Sequence, residues 1–169
     1  MIVDRSYQNI LFPFNKLPVC NFPVVKLKHD FDIILSWEEI IKITNKSYIE
    51  NKCIKRFEKD VINYQVKQVE CKKLKPIEDA LKEFFPNTTQ DTDLYGSFEN
   101  SAGGFKLHSD IESTILHVQQ GEVIINVVTG SMSYIFDMKQ NDMIYIKRGI
   151  KHSVIGLTPR FLTSYGIYY

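Results

Sequence analysis

Three residues carry the chemistry that can be read in this sequence: His108, Asp110 and His152. His108 and Asp110 stand two apart, the spacing at which two side chains leave a strand on the same face. His152 lies far along the chain, just after a turn and the apolar strand Met143-Ile-Tyr-Ile146. Two imidazoles and one carboxylate on one side of a metal leave positions open for substrate and oxygen. That is the ligand set of non-haem Fe(II) oxygenases. An imidazole donates only when neutral, so such a site is expected to weaken in mild acid.

Something must hold these residues in place, and the chain is long enough to do it. Its 169 residues, 44% hydrophobic and 24% charged, predict a single domain over 1–169 with a core of its own. A net charge of +1 gives no global electrostatic case for nucleic acid or an anionic membrane. Cys20, Cys53 and Cys71 are odd in number and share no metal or redox spacing, which predicts reduced thiols in a cytoplasmic protein. The apolar N-terminal residues are broken by Asp4, Arg5, Pro13, Lys16 and Pro18, and so read as neither a signal peptide nor a membrane span.

Residues 1–90 read as a helical and extended buttress. Val24–Leu27 suggests a short strand. Ser36 followed by Glu39 is a capping-box pattern that starts a helix. Ser47 to Val61, with apolar residues at Ile49, Cys53, Ile54 and Phe57, is consistent with another helix, and Ile62–Val66 alternates as a strand. Pro76 opens a third helix whose stripe is Ile77, Ala80, Leu81, Phe84 and Phe85, and Pro86 ends it. Asn87–Thr92 reads as a polar loop. Residues 91–169 then give short strands at Leu94–Phe98, Phe105–His108, Ser113–Gln119, Glu122–Thr129, Ser133–Asp137, Met143–Ile146, His152–Gly156 and Arg160–Tyr168. Turns are expected at Gly103-Gly104, Gly121, Gly130, Asn141 and Gly149. Short strands at this spacing predict a sandwich or barrel.

The run Ser97–Gly121, with His108-Ser-Asp110 and a glycine thirteen residues after the histidine, resembles the cupin-like JmjC hydroxylases, which are Fe(II)- and 2-oxoglutarate-dependent oxygenases. The later run Asn141-Asp-Met-Ile-Tyr-Ile-Lys-Arg-Gly-Ile-Lys-His152 is similar to the segment that supplies the family's distal histidine. The resemblance covers roughly residues 94 to 169. It implies a mainly β double-stranded β-helix (cupin-type jelly roll) with the N-terminal helices packed outside. It further implies iron on His108, Asp110 and His152, with 2-oxoglutarate as cosubstrate.

The sequence departs from the family at one important place. A lysine or arginine often lies two residues after the glycine turn, where it pairs with the distal carboxylate of 2-oxoglutarate; here that position is Val123. Burying the second carboxylate without a cation is costly. Arg160, on the expected last strand, is the first substitute, because its fork suits a carboxylate. Lys106, which shares the face of His108 by strand parity, is the next. Thr114, Tyr95 and Ser164 are candidates for hydroxyl contacts. His117 points away from the metal by alternation, and His29 is expected at the surface. Lys147, Arg148 and Lys151 form a basic rim before His152 that could attract an acidic substrate or a phosphate backbone.

These features predict an Fe(II)- and 2-oxoglutarate-dependent hydroxylase acting on a protein side chain, an RNA base or a small molecule, with no membrane partner. A homodimer is also compatible with the aromatic end of the chain. Two alternatives stay open: a metal cupin without 2-oxoglutarate, which Val123 favours, and a non-catalytic binding domain on the same barrel.

Overall fold

The computed structural model describes residues 2–58, 61–100 and 103–169. Short strands β1 (Ile2–Asp4), β2 (Leu11–Pro13) and β3 (Val24–Lys28) precede helix α1 (Trp37–Ile49). A hairpin of β4 (Cys53–Glu58) and β5 (Val61–Val66) follows, then helix α2 (Lys75–Phe84). Eight further strands complete the chain: β6 (Thr89–Ser97), β7 (Gly103–His108), β8 (Ser113–Gln120), β9 (Glu122–Thr129), β10 (Met132–Lys139), β11 (Met143–Ile146), β12 (Lys151–Gly156) and β13 (Arg160–Tyr168).

Among the described residues the strands form two sheets. One runs β1-β10-β9-β12-β7 and the other β2-β3-β11-β8-β13-β6-β5-β4. The four strands β10, β9, β12 and β7 face the four strands β11, β8, β13 and β6, which is the double-stranded β-helix expected of the sequence. Leu116, Val118, Ile125, Val127, Phe136, Val154 and Leu162 fill the space between them. The N-terminal elements add strands to the larger sheet at both edges and cover its outer face.

That covering layer explains an uninterrupted buried run in β8. Leu116 and Val118 point between the sheets. Ile115 points outward and meets Ile77, Leu81 and Phe85 of the α2 region. Both helices form where the sequence predicts them. Ser36 Oγ accepts from the Glu39 N–H at 3.2 Å, and Glu39 Oε2 accepts from the Ser36 N–H at 2.7 Å. Pro76 sits in the first turn of α2, whose buried face is Ile77 and Leu81.

Three local expectations are corrected. The predicted helix over Ser47–Val61 is absent: α1 ends at Ile49, Asn51 takes a left-handed turn (φ 57°), and β4 begins at Cys53. The apolar spacing there matches a helix by coincidence, and pairing with β5 decides the outcome. Thr89–Thr92 belongs to β6 rather than a loop, paired with Tyr165–Tyr168 of β13. Gly103 and Gly104 lie inside β7, not in a turn. A side chain on Gly104 would collide with the Val154 main chain, so the glycine is required by close strand approach.

Candidate metal centre and cavity

β7 and β12 are antiparallel neighbours with His152 directly opposite His108. β7 ends at His108 and β12 begins at Lys151, so both histidines project at one end of the barrel. Asp110 follows in the loop, where its carbonyl accepts the Gly149 N–H at 2.8 Å. Gly149 has φ 75°, a left-handed conformation that brings the turn before β12 back onto that loop.

The three donor groups converge. Asp110 places Oδ1 3.7 Å from His108 Nε2 and Oδ2 3.4 Å from His152 Nε2. One donor atom from each residue lies within 4.8 Å of the others. Donors about 2.0–2.2 Å from a shared ion stand roughly 3 to 4 Å apart. Each ring's other nitrogen is tied down: His108 Nδ1 donates to the Lys106 carbonyl at 2.7 Å, and His152 Nδ1 to the Ile150 carbonyl at 3.1 Å. This fixes both tautomers with the Nε2 lone pairs facing Asp110. His152 is buried, and that burial lowers its pKa and keeps the ring neutral, as a ligand must be. The donor set fits a divalent first-row metal.

Beside the triad is a cavity of about 200 Å³. Its apolar wall is Leu116, Val154 and Leu162, with Phe105 and Tyr95 packed edge to face at 5.2 Å. Ser164, Gln65, Glu112 and Arg56 supply the remaining polar groups. Burial raises the pKa of the Glu112 carboxyl, and Asp110 adds to the effect. Tyr95 Oη donates to Asp93 Oδ2 at 3.0 Å and accepts from Gln65 Nε2 at 3.1 Å. Burial, reinforced by the Asp93 carboxylate, pushes this phenol well above its ordinary value and holds it protonated.

The expected cosubstrate contacts are only partly brought together here. Tyr95 and Ser164 line the cavity, and Thr114 stands behind Ser164 with its hydroxyl 2.8 Å from Ser164 Oγ. Lys106 does not line it. A register shift between β7 and β12 sets Val154 opposite Phe105 while His152 stays opposite His108. This bulge breaks strict alternation, so Phe105 rather than Lys106 takes the inward place next to His108.

Arg160 is also removed from the cavity. It is 2% exposed, and its guanidinium donates to the carbonyls of Glu99 (3.3 Å), Thr158 (3.2 Å) and Gly103 (2.6 Å). Gly103 opens β7 and His108 closes it, about 17 Å away at the strand rise. Arg160 therefore fastens the far end of the barrel. Val123 is 2% exposed within the inter-sheet core. Lys147, Arg148 and Lys151 are exposed near the Asp110 loop.

His117 leaves the inner face as alternation requires, but it is wholly buried. Its Nε2 donates to Asn141 Oδ1 at 2.9 Å and its Nδ1 accepts from Gln119 Nε2 at 2.9 Å. His29, expected at the surface, is half-buried beside it, ring to ring at 5.8 Å, with Nε2 2.9 Å from the Asn141 carbonyl. The segment before α1 covers this face.

Sequence reasoning overlooked Arg56, Gln65, Phe105 and Glu112. The alternation of Ile62–Val66 signalled β5, but nothing local showed that β4 would extend the same sheet face.

No family model matches the chain, and no curated protein matches it. Solved structures do. YcfD, a ribosomal oxygenase from Escherichia coli, superposes with a TM-score of 0.69 at 15% identity, over 91% of this chain and 50% of that one. Its complex with cobalt and 2-oxoglutarate gives 0.67 at 15% identity over 86% and 48%. Bacillus subtilis oxalate decarboxylase, an enzyme with Mn(II) centres, gives 0.49 at 17% identity over 70% and 28%. The chain thus spans about half of the ribosomal oxygenase and under a third of the decarboxylase. The chain shares its double-stranded β-helix fold with that ribosomal oxygenase. No helix among the described residues is long and apolar enough to cross a membrane.

Proposed function

We propose that this protein is a metal-dependent oxygenase that holds Fe(II) on His108, Asp110 and His152 and uses 2-oxoglutarate as cosubstrate. The observation that carries the reading is the donor geometry: two Nε2 atoms and one carboxylate converge, and each imidazole is oriented by its own backbone hydrogen bond. Iron and 2-oxoglutarate bound there supply oxygen activation, oxidative decarboxylation to succinate and hydroxylation of a substrate C–H bond. The chain contributes the rest. His108 and His152 present their Nε2 atoms, Asp110 supplies the carboxylate donor, and Leu116, Val154 and Leu162 form an apolar wall beside them. The cavity is smaller than the roughly 300–1,000 Å³ typical of drug-sized sites. It therefore admits a small cosubstrate and a protruding group such as a protein side chain or a base. Three free thiols fit a reducing cytoplasm.

A second reading, a metal cupin without 2-oxoglutarate, is favoured by two observations: Val123 lies in hydrocarbon and Arg160 lies at the far end. Coupled assays separate the two. Fe(II)-loaded protein with 2-oxoglutarate is expected to form succinate, and His108→Ala to form none. Oxygen consumption independent of 2-oxoglutarate would instead support the second reading.

A further inference from the structure

The cavity contains Asp110 and Glu112, so a dicarboxylate entering it meets like charge as well as the metal. Among the described residues lining it, Arg56 is the only lysine or arginine. It sits on β4, outside the eight strands of the barrel. Registers carry its face inward: Arg56 pairs with Asn63 in the hairpin, Gln65 lies two residues along β5 and pairs with Tyr95, and Tyr95 pairs with Leu162. Strand parity puts all five on the cavity side of the sheet. Arg56 is exposed on its strand and lines the cavity.

Two buried amides on this row are incompletely used. Among the described residues, Asn63, 2% exposed, finds no acceptor for its Nδ2, and Gln65, 6% exposed, finds no donor for its Oε1. The direction of the Gln65 amide is fixed by chemistry: Tyr95 gives its proton to Asp93, so Gln65 must present Nε2 to the phenol oxygen. Its oxygen is then left to accept an N–H from a cation at the cavity. A guanidinium can satisfy that acceptor and still present two N–H groups to a carboxylate.

We propose that Arg56, carried by the β4–β5 hairpin, pairs with the second carboxylate of a 2-oxo dicarboxylic acid chelated at the triad, with Gln65 as its positioning residue. The proposal rests on the oxygenase reading and supplies the cation missing at Val123.

The test uses the full chain, loaded anaerobically with Fe(II) and titrated with 2-oxoglutarate and, separately, with pyruvate, which lacks the second carboxylate. The visible charge-transfer band of the chelate reports each affinity. Arg56→Ala is expected to weaken 2-oxoglutarate about ten- to a hundredfold, with pyruvate and Fe(II) affinities within about twofold of wild type, and Arg56→Lys to recover part of the loss. Equal weakening of both acids, or none for 2-oxoglutarate, overturns the role of Arg56 while leaving the oxygenase reading intact. Iron binding by the wild type with no band from either acid overturns that reading and the proposal with it. Unchanged circular dichroism of the exposed-strand variant excludes misfolding as the cause.

Discussion

Acid should loosen this protein through His117, on the outer face of the larger sheet rather than at the His108–Asp110–His152 cluster. The ring is fully buried, and desolvation pulls its pKa down from 6.5 to about 4, against smaller opposing effects of Asn141 and Asp142. His29 faces it and adds to the lowering. Because the folded-state value is depressed, the unfolded chain binds more protons between about pH 4 and 6.5, and stability rises with pH across that window. The contribution is complete above pH 6.5 and is lost as pH falls towards 4. Lowering the pKa from 6.5 to about 4 corresponds to about 3 kcal/mol, of which about 2 kcal/mol is already lost at pH 5. Denaturant unfolding of the apo-protein measured from about pH 4.5 to 7.5, for wild type and His117→Gln, isolates the contribution of His117, since other titrations cancel in the difference. The glutamine variant starts less stable at pH 7.5, and the gap should narrow by about 2 kcal/mol at pH 5. A gap constant with pH would falsify the assignment of a buried, neutral His117.

Other outcomes follow from single contacts. His108→Ala or Asp110→Ala should lower Fe(II) affinity by at least about a hundredfold, beyond the 10–100-fold typical of outer-shell changes, read by competition with a chelating dye; near-native affinity would dissolve the proposed centre. Arg160→Ala strands the carbonyls of Glu99, Thr158 and Gly103 and should cost about 2–4 kcal/mol by denaturant unfolding. If it also weakened 2-oxoglutarate selectively over pyruvate, Arg160 would have to return to the site. Ser36→Ala removes the cap of α1 and should cost about 1 kcal/mol in the same assay.

The barrel was legible in the sequence because most of its strands from β8 onward are bounded by a local turn signal. Gly121, Gly130, Asn141 and Gly149 all take positive φ where turns were expected, and the strands between them alternate. The helices were legible for the same reason: Ser36 with Glu39, and Pro76 with its apolar stripe, act within one turn. β4 was not legible, since its apolar residues fit a helical spacing and only its pairing with β5 makes it a strand. Burial on the outer sheet face was hidden too. Alternation turned His117 away from the cavity correctly, but only the fold shows that residues 29–36 lie over it.

The same division runs through the site. The convergence of His108, Asp110 and His152 was readable because a strand end fixes His108, a two-residue step fixes Asp110, and antiparallel pairing brings in His152. The rest of the cavity lining was not, because the placements expected for Lys106 and Arg160 extrapolated a local rule across a distance it does not cover. Parity from His108 to Lys106 fails at one bulge, which turns Phe105 inward instead. Arg160 lies on the expected strand but at its wrong end, four residues and about 13 Å of strand before Ser164, which does reach the cavity. The cation that does reach it comes from a hairpin earlier in the chain than the barrel itself. Its approach depends on three successive strand registers, β4 to β5, β5 to β6 and β6 to β13. A one-residue slip in any of them would turn Arg56 to the opposite face. The hairpin's register, not the identity of one barrel residue, is therefore what an anion entering this cavity would sense.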